Sequence, residues 1–445
     1  MTLTTRRFLY ITFILSFLII TPLVILYANG YTFSLNKKSI VKTGMLVLNT
    51  KPESANIYLN GVPEETFLGS YFGKRIKVTT PAKIKNIIPG EYLVRVELEN
   101  YWPWEKKLTV YPGGTTFAED VILFRKELPQ IIAANTRISQ QSPNKEYSII
   151  YDDNNVSLVN LENGNITNLL NSTTSPMIVW SPRSTKFIIN NTIFDIYNPE
   201  KRISISQLDF QPENIKWNFS QDDIIYFKEK NKIYSFNITN QTVKAIAEMQ
   251  ISGDYFIKDK YIFSLSRVGN DSNLNVVDLN SSVIVKSIKL PNTFNYEFIN
   301  TDNELINLYD KDKEILYLIN PFADYLPIRE IINNIKIAKW VGPAKLLFAN
   351  DYEIWLYDLG QNKKTILNRL SEKIKDVVWH PSNNYIIYST EKSINTLELD
   401  ERDRYRTIEL VAGENLKIIN LNRNGSILYF QGTYGNQVGL FRLKI

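Results

Sequence analysis

With 445 residues, 44% of them hydrophobic and 22% charged, the chain is too apolar to be disordered and long enough to bury at least two cores. It has no cysteine and a single histidine, His380, which excludes disulfides, thiol catalysis, Cys-ligated metals and His-pair zinc sites. The net charge of +5 is uneven: residues 37–126 hold 14 Lys+Arg against 9 Asp+Glu, whereas residues 127–445 hold 35 against 37. The basic residues form no run or stripe, so nucleic acid is not an expected partner; their excess next to the first apolar segment is either a solvated surface or a contact with anionic headgroups or acidic wall polymer.

Residues 1–7 end in Arg6-Arg7, directly ahead of an uncharged run from Phe8 to about Tyr27. As a helix this run spans roughly 30 Å, the thickness of a bilayer core, so residues 8–28 are predicted to form one transmembrane helix. A cleaved signal peptide is the alternative, with small residues at Ala28-Asn29-Gly30, although the apolar stretch of such peptides covers only about 7–15 residues. Arg6 and Arg7 act as topology determinants favouring a cytoplasmic N-terminus and an extracytoplasmic bulk, opposed by Lys37, Lys38 and Lys42 within the linker region 29–43 and just beyond the helix.

Residues 44–126 read as short strands. Between Tyr92 and Glu99, Tyr92, Val94, Val96 and Leu98 share one face and Leu93, Arg95, Glu97 and Glu99 the other, the alternation of a half-buried strand. Asn60-Gly61 suits a tight hairpin turn that needs positive φ, and Pro89-Gly90 marks another turn, so antiparallel pairing is expected. Pro52-Glu53-Ser54-Ala55, Asn60-Gly61, Thr80-Pro81, Pro89-Gly90-Glu91-Tyr92 and Tyr101-Trp102-Pro103-Trp104 occur in that order. This pattern resembles the PEGA domain, a surface-associated β-sandwich module of bacteria and archaea. The resemblance implies a small antiparallel sandwich in which Tyr101 and Trp104 seal one end of the core. Two departures stand out: Ser54 replaces a glycine, a small change if its φ is negative, and the segment Val62–Thr79 is long for the family. That insertion carries Phe67, Tyr71, Phe72, Lys74 and Arg75, which with Trp102 are candidate contacts for a partner or glycan. Its Gly69-Ser70-Tyr71-Phe72-Gly73-Lys74 stretch has the wrong spacing for a phosphate loop and Arg75 where Ser or Thr belongs.

From residue 127 to 445 short β-runs alternate with Asn, Asp, Ser and Gly, and an internal repeat is visible. Trp180-Ser181-Pro182 precedes Lys186-Phe187-Ile188-Ile189, and Trp379-His380-Pro381 precedes Tyr385-Ile386-Ile387-Tyr388. Trp217, Trp340 and Gln141-Ser142-Pro143 begin looser copies, and degenerate ones lie around Phe256, Phe298 and Ile419. The spacing of roughly 40 residues is that of a four-stranded propeller blade. The region resembles WD40 and TolB-like propellers without the Gly-His or Trp-Asp signatures of the former. Eight blades are expected, the last completed by Pro129–Ala134 so that strands from both ends close the ring; seven blades with an irregular unit is the alternative.

The fold class is therefore all-β, a small antiparallel β-sandwich plus a β-propeller, behind one N-terminal transmembrane helix. No catalytic, cofactor or metal residue is assigned: Asp152-Asp153 and Asp222-Asp223 read as turn caps, and Ser181 occupies the position equivalent to His380. Asn165, Asn237 and Asn424 open Asn-x-Ser/Thr triplets that fit Asn-rich turns. The expected function is a non-catalytic binding or scaffolding protein of the cell envelope, anchored in the cytoplasmic membrane, with an envelope protein or cell-wall polysaccharide as partner. A propeller glycan hydrolase or lyase, which would need carboxylates converging on the ring axis, and an envelope-protein assembly factor are the alternatives.

Overall fold

The uncharged run after Arg7 lies in one helix, α1 (Leu3–Ala28), in a computed structural model that describes residues 3–34, 39–66, 76–172, 176–205, 210–248, 253–269, 271–291, 293, 295–299 and 303–445. The 26 residues of α1 extend about 39 Å at 1.5 Å per residue. Over Thr5–Ala28 the helix is long and apolar enough to cross a membrane. Its large side chains are exposed all round, Phe8 at 71% and Phe13 at 70%, so no protein core accounts for its hydrophobicity. Arg6 and Arg7 sit in its first turns. The candidate contacts Phe67, Tyr71, Phe72, Lys74 and Arg75 lie outside the described residues.

Two compact units make up the chain: residues 1–127 with 399–408, and residues 128–398 with 409–445. In the first, α1 is followed by a hairpin of Tyr31–Ser34 with Ser39–Lys42 and then by a two-layer sandwich. One layer orders Ala82–Ile87, Gly44–Lys51 and Thr115–Ile122; the other orders Val62–Pro63, Asn56–Leu59, Gly90–Glu97 and Trp104–Val110. The alternation seen around Val94 and Val96 is real, since both are fully buried among Leu46, Ile57, Trp104 and Leu108. Asn60 and Gly61 take φ of 51° and 81° between the paired residues Leu59 and Val62, the two left-handed positions a tight hairpin requires.

Two details differ from the sequence reading. Gly44–Lys51 and Thr115–Ile122, the first and last strands of the sandwich, pair in parallel, because the intervening chain crosses to the second layer and back before the last strand returns beside the first. Ser54 has φ of 69°, not a negative value, while its N–H donates to the Thr80 carbonyl at 2.7 Å. The serine thus holds a left-handed conformation that glycine adopts freely and that costs an L-residue about 1–2 kcal/mol. The tie to Thr80 keeps the backbone there.

The sandwich unit also takes in Leu399–Ile408. Arg402 donates to the Phe117 carbonyl at 2.6 Å, Arg406 to those of Glu105 (2.7 Å) and Pro103 (3.1 Å), and the Lys107 N–H to the Asp403 carboxylate at 3.1 Å. Lys106 is 1% exposed, and its Nζ donates to the Asp400 carbonyl at 2.8 Å and lies 3.4 Å from its carboxylate.

The second unit holds, among the described residues, eight four-stranded antiparallel sheets: 137–171, 178–204, 213–248, 255–290, 296–332, 337–369, 376–412 and 414–444, the last completed by Gln130–Ala134. Each of the first seven runs in chain order across its four strands. Clusters of buried side chains join neighbouring sheets: Val156 with Phe187, Ile193 with Phe227, Ile233 with Ile262, Leu274 with Leu308, Leu316 with Leu346, Ile387 with Leu428, and Val159 with Tyr429. The last of these links the eighth sheet to the first, and Asp376–Trp379 of the seventh touches Ile337–Val341 of the sixth, so the sheets form a ring. The opening strands of adjacent sheets touch, for example Asp376–Trp379 with Glu414–Leu421, and so surround the axis. Second strands such as Tyr385–Ser389 are buried at every residue, whereas fourth strands such as Lys363–Arg369 are partly exposed. Inner strands therefore read as unbroken apolar runs and outer ones as mixed.

Candidate functional site

The recurring motif makes the same turn each time. After the first strand, the N–H of Ser142, Ser181 and His380 donates to the carbonyl of Tyr147, Lys186 and Tyr385 at 2.9 Å, and that of Asn422 to Ile427 at 3.1 Å. Three residues on, Lys145, Ser184, Asn383 and Gly425 all have φ between 60° and 78°. A short polar side chain normally closes the turn: Ser142 Oγ accepts from the Tyr147 N–H, Ser181 Oγ from Lys186, and Asn422 Oδ1 from Ile427. His380 fills this place with imidazole. It is 4% exposed, its Nδ1 accepts from the Ser382 N–H at 3.2 Å, and its Nε2 donates to the Gly425 carbonyl at 3.1 Å, which fixes the neutral tautomer. Burial is the main reason that its pKa falls to about 4, followed by the opposing Gly425 bond and the charge of Lys145. Both imidazole nitrogens are engaged, Nδ1 within its own turn and Nε2 in the bond that ties sheet seven to sheet eight.

The paired aspartates are likewise structural. Asp152 accepts the N–H of Asn154 and Asn155 at 2.7 Å each, and these backbone bonds, foremost that of Asn154, hold its carboxyl below the usual range. Asp222 accepts from the N–H of Arg183 and Thr185 and from the Thr185 hydroxyl, linking sheets two and three. Asn237 and Asn424 cap their own turns. Trp102 is half-buried, with the Lys126 ammonium 4.9 Å from its ring centre and its N–H bonded to Phe124. No group of three His, Cys, Asp or Glu able to hold a metal occurs among the described residues.

Turns and opening-strand ends of the first six sheets line a cavity of about 730 Å³ near the ring axis. Its wall includes Trp180, Trp217, Phe219, Phe256, Ile257, Ile299 and Trp340, with Arg183, Lys216 and Lys339 as its charged residues, and no carboxylate lines it among the described residues. Each lysine is steadied by an aspartate of the following sheet's approach: Lys216 lies 2.9 Å from Asp254 and Lys339 2.6 Å from Asp376. Arg183 is exposed and has no ion-pair partner among the described residues. Lys145, next to the lining residue Asn144, is pushed below its ordinary pKa by burial and then by Lys339. The indole N–H groups of Trp180 and Trp340 have no acceptor among the described residues. The amide oxygens of Asn144 and Asn218 already accept from Glu146, Ser220 and Gln221, so the wall offers donors and apolar surface.

Sequence reasoning named none of these wall cations. A signal was present: Lys216-Trp217 and Lys339-Trp340 repeat a Lys-Trp pair at the end of an opening strand.

The sandwich, with Trp104 buried at its centre and the left-handed Asn60-Gly61 turn, is decided by comparison. Residues 43–122 match the PEGA domain. The PEGA domain thus accounts for the two layers of the first unit and not for the ring. No curated protein matches the chain. Similar solved structures include a eukaryotic initiation factor, with 9% identity, TM-score 0.47, and 72% of this chain and 93% of that one covered. The β-propeller domain of Myceliophteria thermophila Cps50 (Swd1) has 12% identity and TM-score 0.40, over 64% of this chain and 99% of that one. Hydrazine synthase of Kuenenia stuttgartiensis has 13% identity and TM-score 0.36, over 68% and 94%.

Proposed function

We propose that the chain is a single-pass protein of the cytoplasmic membrane, with its bulk outside, that binds a cell-envelope partner in the axial cavity of its propeller without chemistry. The observation carrying this reading is the cavity wall: among the described residues it has donors and apolar surface but no carboxylate or imidazole. A glycan hydrolase or lyase of the common kind needs two carboxylates flanking the scissile bond. The membrane assignment rests on α1, whose apolar side chains have no protein cover, and the orientation on Arg6 and Arg7 ahead of it. The PEGA domain follows the anchor in the chain and serves as an extracytoplasmic module, with Trp102 and the segment 62–79 as its own candidate contacts.

Full-length protein in nanodiscs is expected to retain an envelope component saturably from extract. Phe219→Ala, which trims a half-exposed aromatic from the cavity wall, should weaken retention by about tenfold or more while leaving the unfolding midpoint unchanged. Retention unaffected by Phe219→Ala, or continuous release of sugar products from an added envelope polymer, would contradict the proposal.

A further inference from the structure

We infer that the axial cavity takes an acidic peptide segment that also carries apolar side chains, a reading that rests on the cavity being the recognition site. Three features converge on this ligand. Among the described residues the wall contains three cations and no anion, and two of those cations, Lys216 and Lys339, are balanced by aspartates of this chain. Arg183 and Lys145, both exposed, carry positive charge and have no ion-pair partner among the described residues, and Lys145 adjoins the lining residue Asn144. An uncompensated pair of cations at a partly enclosed site is repaid by a ligand carboxylate, which meets the guanidinium in a strong charge-assisted bond.

The asparagine oxygens of the wall are already engaged, so the polar groups it offers a ligand are its cations, which a ligand rich in acceptors matches. The rest of the wall decides between an acidic peptide and an acidic polysaccharide. A sugar ring needs an open aromatic face to lie on, yet two of the three wall tryptophans, Trp180 and Trp217, are only 6% and 8% exposed and are fixed within sheet-to-sheet cores. Ile299, Phe219 and Phe256, each partly exposed, instead form an apolar surface suited to aliphatic or aromatic side chains. Acidic and apolar groups alternating along one segment satisfy both parts of the wall.

The test uses full-length protein in nanodiscs of neutral lipid and a fluorescent peptide that alternates glutamate and leucine. It should bind saturably, one peptide per chain, and more weakly as salt rises. A peptide with glutamine in place of glutamate should bind at least about tenfold more weakly, and Arg183→Glu should weaken the acidic peptide by about tenfold. Lys145→Asn, which keeps a residue suited to the φ of 62° at that turn, should weaken it in the same direction and serves as the second variant should Arg183→Glu disturb folding. Equal binding of the glutamine peptide, indifference to both substitutions, or binding of an oligouronide in preference to the peptide would overturn the inference. Any of these results leaves the broader reading standing if Phe219→Ala still abolishes retention of the envelope component, and only loss of that effect removes both.

Discussion

Lowering the pH from 7.5 to 4 is expected to remove about 3 kcal/mol of stability from the propeller through His380 alone, and His380→Asn is expected to abolish that loss. The unfolded imidazole takes up a proton near its ordinary value of 6.5, whereas the folded one, 4% exposed and donating from Nε2 to Gly425, does so only at about 4. Above 6.5 both states are neutral and the contribution is fully present. Between 6.5 and 4 the unfolded state alone binds a proton, so stability falls with pH. Asparagine is a suitable replacement because Asn422 and Asn218 begin equivalent turns in other sheets. The measurement is urea unfolding of wild type and variant at several pH values; parallel curves would contradict the account. As the chain has one histidine, a single imidazole resonance should titrate near 4, and titration near 6.5 would show that the ring is not buried as described. Gly425→Ala belongs to the same interaction. Its methyl group would overlap His380 Nε2, and the residue holds φ of 78°, so a loss of about 1–3 kcal/mol is expected.

The second large effect concerns Asp400. Lys106 is an almost fully buried cation in the sandwich unit, and Asp400 supplies both its carbonyl and its carboxylate partner. Burial pushes the Asp400 carboxyl upward, but the hydrogen bonds from Arg402 and the charge of Lys106 outweigh it and leave the pKa below the usual range. Asp400→Ala therefore removes a carboxylate 3.4 Å from a buried ammonium and should destabilise the unit by about 3 kcal/mol. Lys106→Met, which removes the buried charge itself, should cost much less, and the double variant should recover most of the loss. The readout is the unfolding transition assigned to the sandwich by hydrogen exchange at Val94 and Val96, both at 0% exposure. Additive losses in the double variant would show that Lys106 and Asp400 do not act as a pair.

The legible parts of the fold were those with a local cause. The apolar run after Arg7, the alternation at Tyr92–Leu98 and the Asn60-Gly61 turn each follow from side-chain periodicity or φ, and the structure has a helix, a strand and a hairpin there. The repeated Trp-x-Pro turns at 180–182 and 379–381 stood out because the same hydrogen-bonded loop must close after each opening strand. Phe256 and Phe298, in weaker copies, also prove to lie on opening strands of sheets. What was not legible depended on distant partners. The left-handed Ser54 is imposed by Thr80, and the parallel pairing of Gly44–Lys51 by a strand some seventy residues later. The Leu399–Ile408 excursion reads as an ordinary polar turn until Lys106 is seen to need Asp400. The cavity cations were missed for a similar reason: Lys216 and Lys339 are ordinary lysines in sequence, and only the ring brings them to one wall with Arg183. Trp102 stood out as an aromatic available for stacking; in the structure the Lys126 ammonium lies over its ring.

The central claim is that recognition occurs at the axial cavity of the propeller. Its most direct test replaces one aromatic at a time with benzoylphenylalanine in the full-length protein and irradiates intact cells. Phe219 lies in the cavity wall and Tyr325, 89% exposed, lies on an outer loop of the fifth sheet. A discrete adduct from Phe219 that disappears with Arg183→Glu, and none from Tyr325, is the predicted result. Adducts from Tyr325 alone, or a Phe219 adduct indifferent to Arg183→Glu, would contradict it.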